Sequence, residues 1–313
     1  MRQPRSTKPS VAENITNAII ARLEAGARPW VRPWRGAGHA RGRRPLRSCG
    51  TPYRGINAIV LGMIADMAGF SSPYWMTYNH AQSLGGQVRK GERGTIAVLY
   101  KTCPPANNDD SRDKPDEENA VRLLRGYTVF SADQIDGLPE RYRAAPAATT
   151  SDRIRELETF FERIPATVRH GGNEACYLPT RDVIHMPHRA AFVDEDHWAG
   201  TFAHELAHWT GHGSRLARDL SGRFGSDAYA AEELIAELTA AIMGGELGTP
   251  VTHLDHHASY LDHWLRILRK DARAILTAAG HAEKAASHLL ALGGRSTVAE
   301  DSADREPQLQ EAA

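Results

Sequence analysis

Residues 201–209 read Thr201-Phe202-Ala203-His204-Glu205-Leu206-Ala207-His208-Trp209. The run holds H-E-x-x-H in a helix-compatible stretch. Histidines four apart share one helical face, about one turn from each other, so both imidazoles can reach one metal ion. Glu205 stands beside them, where it can take a proton from a metal-activated water. Phe202, Ala203, Leu206 and Ala207 supply the apolar flanks of a buried active-site helix. The competing reading is a pair of surface histidines on an ordinary amphipathic helix.

Such a site needs a third ligand. A histidine six residues beyond the second is one source, but that position is Ser214. His212 is flanked by Gly211 and Gly213, which should end the helix, so it is expected as a cap or substrate contact. The other source is a glutamate on a following helix. Residues 227–243 have that pattern, with Ser226 or Asp227 as N-cap and Gly244-Gly245 at the end. Glu233 and Glu237 share a face with Ile242. A carboxylate on an apolar face is costly unless paired or metal-bound. Glu233 is therefore read as the ligand and Glu237 as the carboxylate behind a ligating histidine, with the reverse assignment open. Glu232 is expected to face solvent. Segments 175–179 and 182–186 are strand candidates before the helix, ending at Pro179 and Pro187. His185, in the second, is read as a core or edge residue. A strand edge here would align an extended peptide.

The net charge of zero hides an asymmetry. Residues 1–101 carry 16 Lys+Arg against 4 Asp+Glu, residues 102–150 carry 6 against 9, and residues 151–313 carry 16 against 25. A basic front and an acidic back suggest nucleic-acid contact by the front; the plainer alternative is a solvated basic tail. Aromatics interleave with the charge. Arg28, Trp30, Arg32, Trp34 and Arg35 lie together, followed by Arg43, Arg44, Tyr53 and Arg54. Arg89, Lys90 and Arg93 mark a basic turn. Cations that track phosphates, beside rings that stack bases, point to single strands. Trp75 is assigned to the core, while Trp30 and Trp34 stay undecided between core and surface.

The remaining chain reads as α+β with two domains: residues 1–142, a linker over 143–151, a mainly helical domain with a small sheet over 152–294, and a disordered tail over 295–313. Helices are expected over 11–24, 55–67, 78–84, 154–164, 253–279 and 282–292. Strands are expected over 95–101 and 122–130, joined by an acidic loop over 104–119. Three cysteines, Cys49, Cys103 and Cys176, form no C-x-x-C pair. Together with an N-terminus lacking an apolar signal core, they suggest a cytoplasmic protein. No run is long enough to span a membrane.

These motifs together resemble the ArdC-type antirestriction proteins, whose N-terminal domain also occurs in TraC-type conjugative primases. The matching stretches are 23–30 with Trp34, 53–57, 72–75, 84–94 and 127–130 in front, then 204–212 and 229–237 behind. The resemblance implies a plasmid- or phage-borne protein that binds single-stranded DNA and helps incoming DNA escape host restriction. It also implies a zincin-like peptidase site on His204, His208 and a glutamate, holding Zn²⁺, Mn²⁺ or another divalent ion, and acting on an unidentified host protein. A non-enzymatic DNA shield with a structural or inactive metal site is the alternative. A nuclease or primase is disfavoured, because such sites use carboxylate clusters and the basic half has none.

Overall fold

The computed structural model describes residues 9–26, 30, 44–103, 121–143, 150–220, 222, 226–249 and 260–295. The acidic loop over 104–119, the core of the linker and nearly all of the tail lie outside them. So do Arg28, Arg32, Trp34, Arg35 and Arg43.

The protein is α+β, with eight α-helices and three small sheets among the described residues. Helix α1 (Val11–Glu24) begins with a capping box. Ser10 Oγ accepts from Glu13 N at 3.2 Å, and Glu13 Oε2 accepts from Ser10 N at 2.6 Å. Its Ile15, Ile19 and Leu23 repeat at helical spacing and are buried. The front half continues with β1 (Leu46–Arg47), α2 (Ile56–Ala68), β2 (Tyr74–Met76), α3 (Tyr78–Ser83) and β3 (Gln87–Val88). It closes with β4 (Thr95–Cys103), β5 (Val121–Ser131) and β6 (Ile135–Asp136). One sheet has the order β1-β2-β5-β4, and β3 pairs with β6. Trp75 is buried at 1% exposure, as expected of a core anchor.

The back half opens with α4 (Thr150–Glu162), followed by β7 (Thr167–His170), β8 (Cys176–Leu178) and β9 (Val183–Met186). These form a sheet of order β7-β9-β8, so β8 is an edge strand and His185 sits on the central one. Strand β7 escaped the sequence reading because it is short and mostly exposed, with no alternation to betray it. Then come α5 (Glu195–Thr210), α6 (Asp227–Leu247), α7 (Leu261–Lys270) and α8 (Ala274–Leu292). Helix α5 is capped by Asp194 Oδ1, which accepts from His197 N at 2.9 Å, and stops at Gly211. Helix α6 starts at Ser226, as expected, but runs through Gly244-Gly245 to Gly248, a left-handed cap with φ 68°. Tertiary packing outweighs the propensity cost of the two glycines, and the Gly245 carbonyl accepts Arg44 N–H at 3.1 Å. Of the helix expected over 253–279, residues 253–259 lie outside the described residues, and the rest breaks at residues 271–273, where Asp271 Oδ1 accepts from Arg273 N. Helix α8 then passes unbroken through Gly280.

The largest apolar core crosses both halves. Ile15, Ile19 and Leu23 of α1, Ile59 of α2, and Trp30 pack in it with Leu238, Trp264 and Leu289. Two smaller clusters, around Met76 and around Trp75, belong to the front half alone.

Candidate metal centre and its surroundings

Helix α5 presents His204 and His208 toward Glu233 of α6. The two Nε2 atoms are 3.1 Å apart, with the rings edge to face. Glu233 Oε2 lies 3.5 Å from His204 Nε2, and its Oε1 lies 3.5 Å from His208 Nε2. All three ligand atoms fall within 4.8 Å of one another. Among the described residues this is the one such cluster, and it includes Glu233 rather than Glu237.

The donor set fits a cation on two grounds. Imidazole nitrogens held at metal–nitrogen distances of about 2.0–2.1 Å in tetrahedral geometry would sit roughly 3.3 Å apart, close to the observed separation. The surrounding charge is also negative. Burial opposes a charged His204, yet the hydrogen bond and charge of Glu233, with Glu205 and Glu237, push its pKa up to about 9. The same three carboxylates would favour a divalent ion between the imidazoles.

Glu205 is 7% exposed. Burial raises its pKa above the usual carboxylate range, against the opposing charges of His204 and His208 and a hydrogen bond from the Tyr177 backbone on β8. Glu237 is fully buried and accepts from Trp30 Nε1 at 3.1 Å. Trp30 packs edge-on against Trp264, with centroids 5.6 Å apart. Tyr229, one turn before Glu233, hydrogen-bonds to Glu233 and Tyr260, and burial together with the Glu233 charge raises its pKa.

Glu232 corrects the sequence reading, which turned it to solvent. It is 8% exposed and accepts from His208 Nδ1 at 3.2 Å. Helical periodicity on α6 alone could not show this, because the arginine that makes its burial tolerable comes from a different loop. Arg218 reaches it with Nε to Oε2 at 3.0 Å and Nη2 to Oε1 at 2.7 Å. Burial raises the Glu232 pKa, but the hydrogen bonds from His208 and Arg218 outweigh it and leave a net lowering. His212 stands outside the cluster, its Nδ1 accepting from Ser214 N in the turn after α5.

The cluster opens into a cavity of about 1010 Å³, walled by β8, by residues 191–193, by Asp219 and Leu220, and by Tyr229 and Tyr260.

The front half looks different from its sequence. Trp30, Arg44 and Tyr53 were candidates for contact with DNA, but all three are buried, at 5%, 7% and 2% exposure. Arg44 donates to Tyr53 O and pairs with Glu246 of α6 and Glu283 of α8. The Trp30 indole serves Glu237. These side chains are spent inside the protein and offer no face to a strand. Arg54 is partly buried, whereas Arg89, Lys90 and Arg93 are exposed. Arg89 pairs with Glu92 and Asp136. Near this turn, Tyr78 is 40% exposed, and its hydroxyl accepts from Gln82 and Gln87, each at 3.3 Å.

Fold and site together define a zincin-like metallopeptidase domain behind an α+β N-terminal domain. Residues 155–281 match the family model described as a zincin-like metallopeptidase, and residues 9–130 match the N-terminal domain of anti-restriction factor ArdC. The crystal structure of antirestriction ArdC protein from the R388 plasmid in its metal-free form is 41% identical, with a TM-score of 0.75 over 91% of this chain and 98% of that one. Its Mn(II)-bound form gives 0.73. An uncharacterised protein, y4eC, of Sinorhizobium fredii is 39% identical over 284 residues, which is 90% of this chain and 91% of that protein. DNA primase TraC of Escherichia coli is 39% identical over 295 residues, and the match spans only 27% of TraC. The chain belongs to the ArdC family of antirestriction proteins. No described helix is long and apolar enough to cross a membrane.

Proposed function

We propose that this protein is a metal-dependent peptidase joined to a single-strand-binding region, residues 1–142, and that it protects incoming plasmid or phage DNA from host restriction. The observation that carries the peptidase reading is the convergence of His204, His208 and Glu233 beside a buried Glu205 in an open cavity. His204, His208 and Glu233 would hold a divalent ion, Zn²⁺ or the Mn(II) seen in the R388 relative. Such an ion supplies Lewis-acid polarisation of a scissile peptide carbonyl. Glu205, with its raised pKa, takes the proton of the attacking water and returns it to the leaving amide nitrogen. The Tyr177 amide orients that carboxylate. Strand β8, with one edge free of the sheet, gives an extended peptide a backbone to pair with along the cavity wall.

Single-strand binding rests on the basic front, on the N-terminal domain shared with ArdC, and on the exposed set Lys90, Arg93 and Tyr78. Cations for the backbone beside one exposed ring suit unpaired bases.

The test is Glu205→Gln in the full-length, metal-loaded protein. The variant should bind metal and single-stranded DNA as wild type does and lose peptide-bond cleavage. Full protection of incoming DNA by that variant would overturn peptidase action as the protective mechanism. A second reading, a structural metal and a passive shield, draws on one observation: α5 and α6 are also central pillars of the shared core. Chelation that unfolds the whole protein would favour it.

A further inference from the structure

The loop after α5, residues 211–220, carries two inward-facing arginines with separate partners. Arg215 sends Nη1 to Asp182 Oδ2 at 3.0 Å, in the turn between β8 and β9, and lies over the Trp209 ring. Arg218 addresses the metal centre. Its guanidinium grips both oxygens of Glu232, while Nη1 donates to Thr210 Oγ1 at 2.9 Å and Nη2 to Ala207 O at 2.7 Å. Those last contacts tie it to the final turn of α5, the helix that bears His208. A planar fork fixed at both ends places Glu232 in position as well as in charge.

We infer that Arg218 is a positioning residue for the metal centre, acting on His208 through Glu232. A carboxylate can only accept, so His208 must donate its Nδ1–H to Glu232. That fixes the tautomer and leaves the Nε2 lone pair facing His204 and Glu233. Without Arg218, Glu232 would be a buried carboxylate with one fewer partner, free to rotate off the ring or draw in water. The His208 imidazole would then lose both its fixed tautomer and its fixed plane. Arg218 is adjacent to Asp219 and Leu220 in the cavity wall, so one loop braces the ligand and shapes the opening. A sequence reading of α6 alone gives this role to Glu237. The structure assigns the contact with His208 Nδ1 to Glu232 and the grip on Glu232 to Arg218.

The inference rests on the metal-centre reading above. The test is the affinity of full-length protein for Zn²⁺ alone, competed against a chromophoric chelator. The variants are Arg218→Met, Glu232→Gln, the double variant and Arg215→Met, with folding of each metal-free form checked by circular dichroism. Arg218→Met and Glu232→Gln should each weaken Zn²⁺ binding by about 10–100-fold. The double variant should be no weaker than Glu232→Gln, because Arg218 works through that residue. Arg215→Met, in the same loop and bonded to Trp209 O, the Tyr177 hydroxyl and Asp182 but to neither Glu232 nor a metal ligand, should stay within about threefold of wild type. If Arg218→Met fails to fold, Glu232→Gln carries the comparison with Arg215→Met. Wild type that binds no Zn²⁺ would sink the metal-centre reading along with this one. Wild type that binds, with Glu232→Gln or folded Arg218→Met binding equally well, would overturn the positioning role alone. So would an equal loss in Arg215→Met, or fully additive losses in the double variant.

Discussion

The two halves of this chain use charged and aromatic residues in opposite ways. In the back half, the residues that the sequence marks as chemical meet in one place: His204, His208 and Glu233 converge, with Glu205 beside them. In the front half, several of the most suggestive residues are turned inward. Arg44 and Trp30 reach into the back half, one to Glu246 and Glu283 and the other to Glu237. A helical motif carries its geometry within itself, because four residues of helix fix where two side chains point. A basic, aromatic-rich segment carries none. Which of its residues face solvent is decided by contacts hundreds of positions away.

The largest expected effect tests the inward use of Arg44. Its guanidinium is 7% exposed and bridges two carboxylates from α6 and α8 while holding Tyr53 O. Arg44→Ala leaves that partly buried acidic pair without its cation and should cost about 3 kcal/mol of stability, read by urea denaturation of the full chain. A loss under about 1 kcal/mol, with weaker DNA binding, would mean that Arg44 is a surface contact after all and that the contrast between the halves is wrong.

A smaller effect sharpens the contrast within the front half. Tyr78→Ala should weaken single-strand binding by about 1–3 kcal/mol while leaving stability nearly unchanged, since base stacking on an exposed ring is worth that much. Lys90→Ala and Arg93→Ala should each flatten the salt dependence by about 0.7 in log–log slope. Fluorescence anisotropy with a labelled oligonucleotide at several salt concentrations measures both. If these variants bind as wild type does, the strand lies on residues outside the described surface, with Arg28, Arg32, Trp34, Arg35 and Arg43 the first to examine.

The same distinction explains what could be read in advance. Helix α1, the β4–β5 pair and the start of α6 follow from caps and periodicity, which are local. The link between Glu232 and Arg218 was invisible, because a charged residue on a helix reads as solvated until its partner is known. Trp30 was ambiguous for a related reason: indole suits a core and a stacking platform equally, and only the buried Glu237 carboxylate beside Nε1 decides between them. The two glycines inside α6 misled in the other direction, since Gly marks helix ends on average, whereas here the helix continues and the Gly245 carbonyl accepts the Arg44 N–H.

Backbone strain divides the halves too, and it yields the smallest prediction. Among the described residues, the non-glycine positions with positive φ are Asp182 at 51° and Ala217 at 48°, both in the back half. Asp182 receives Arg215 in the turn between β8 and β9, and Ala217 lies between Arg215 and Arg218 in the loop after α5. A left-handed alanine turns the chain so that arginines on either side of it both face inward, at a cost set by its Cβ. Ala217→Gly removes that cost but loosens the unfolded chain. The net gain should be about 0.5–1 kcal/mol, seen as a higher melting temperature, with Zn²⁺ affinity unchanged because glycine keeps the same φ. Ala217→Val should do the reverse, since a branched side chain tolerates this region worst. Its melting temperature should fall together with its Zn²⁺ affinity, as the turn opens and Arg218 leaves Glu232. If valine lowered stability alone, the strain would be a cost of the loop's path and no part of how the site is held.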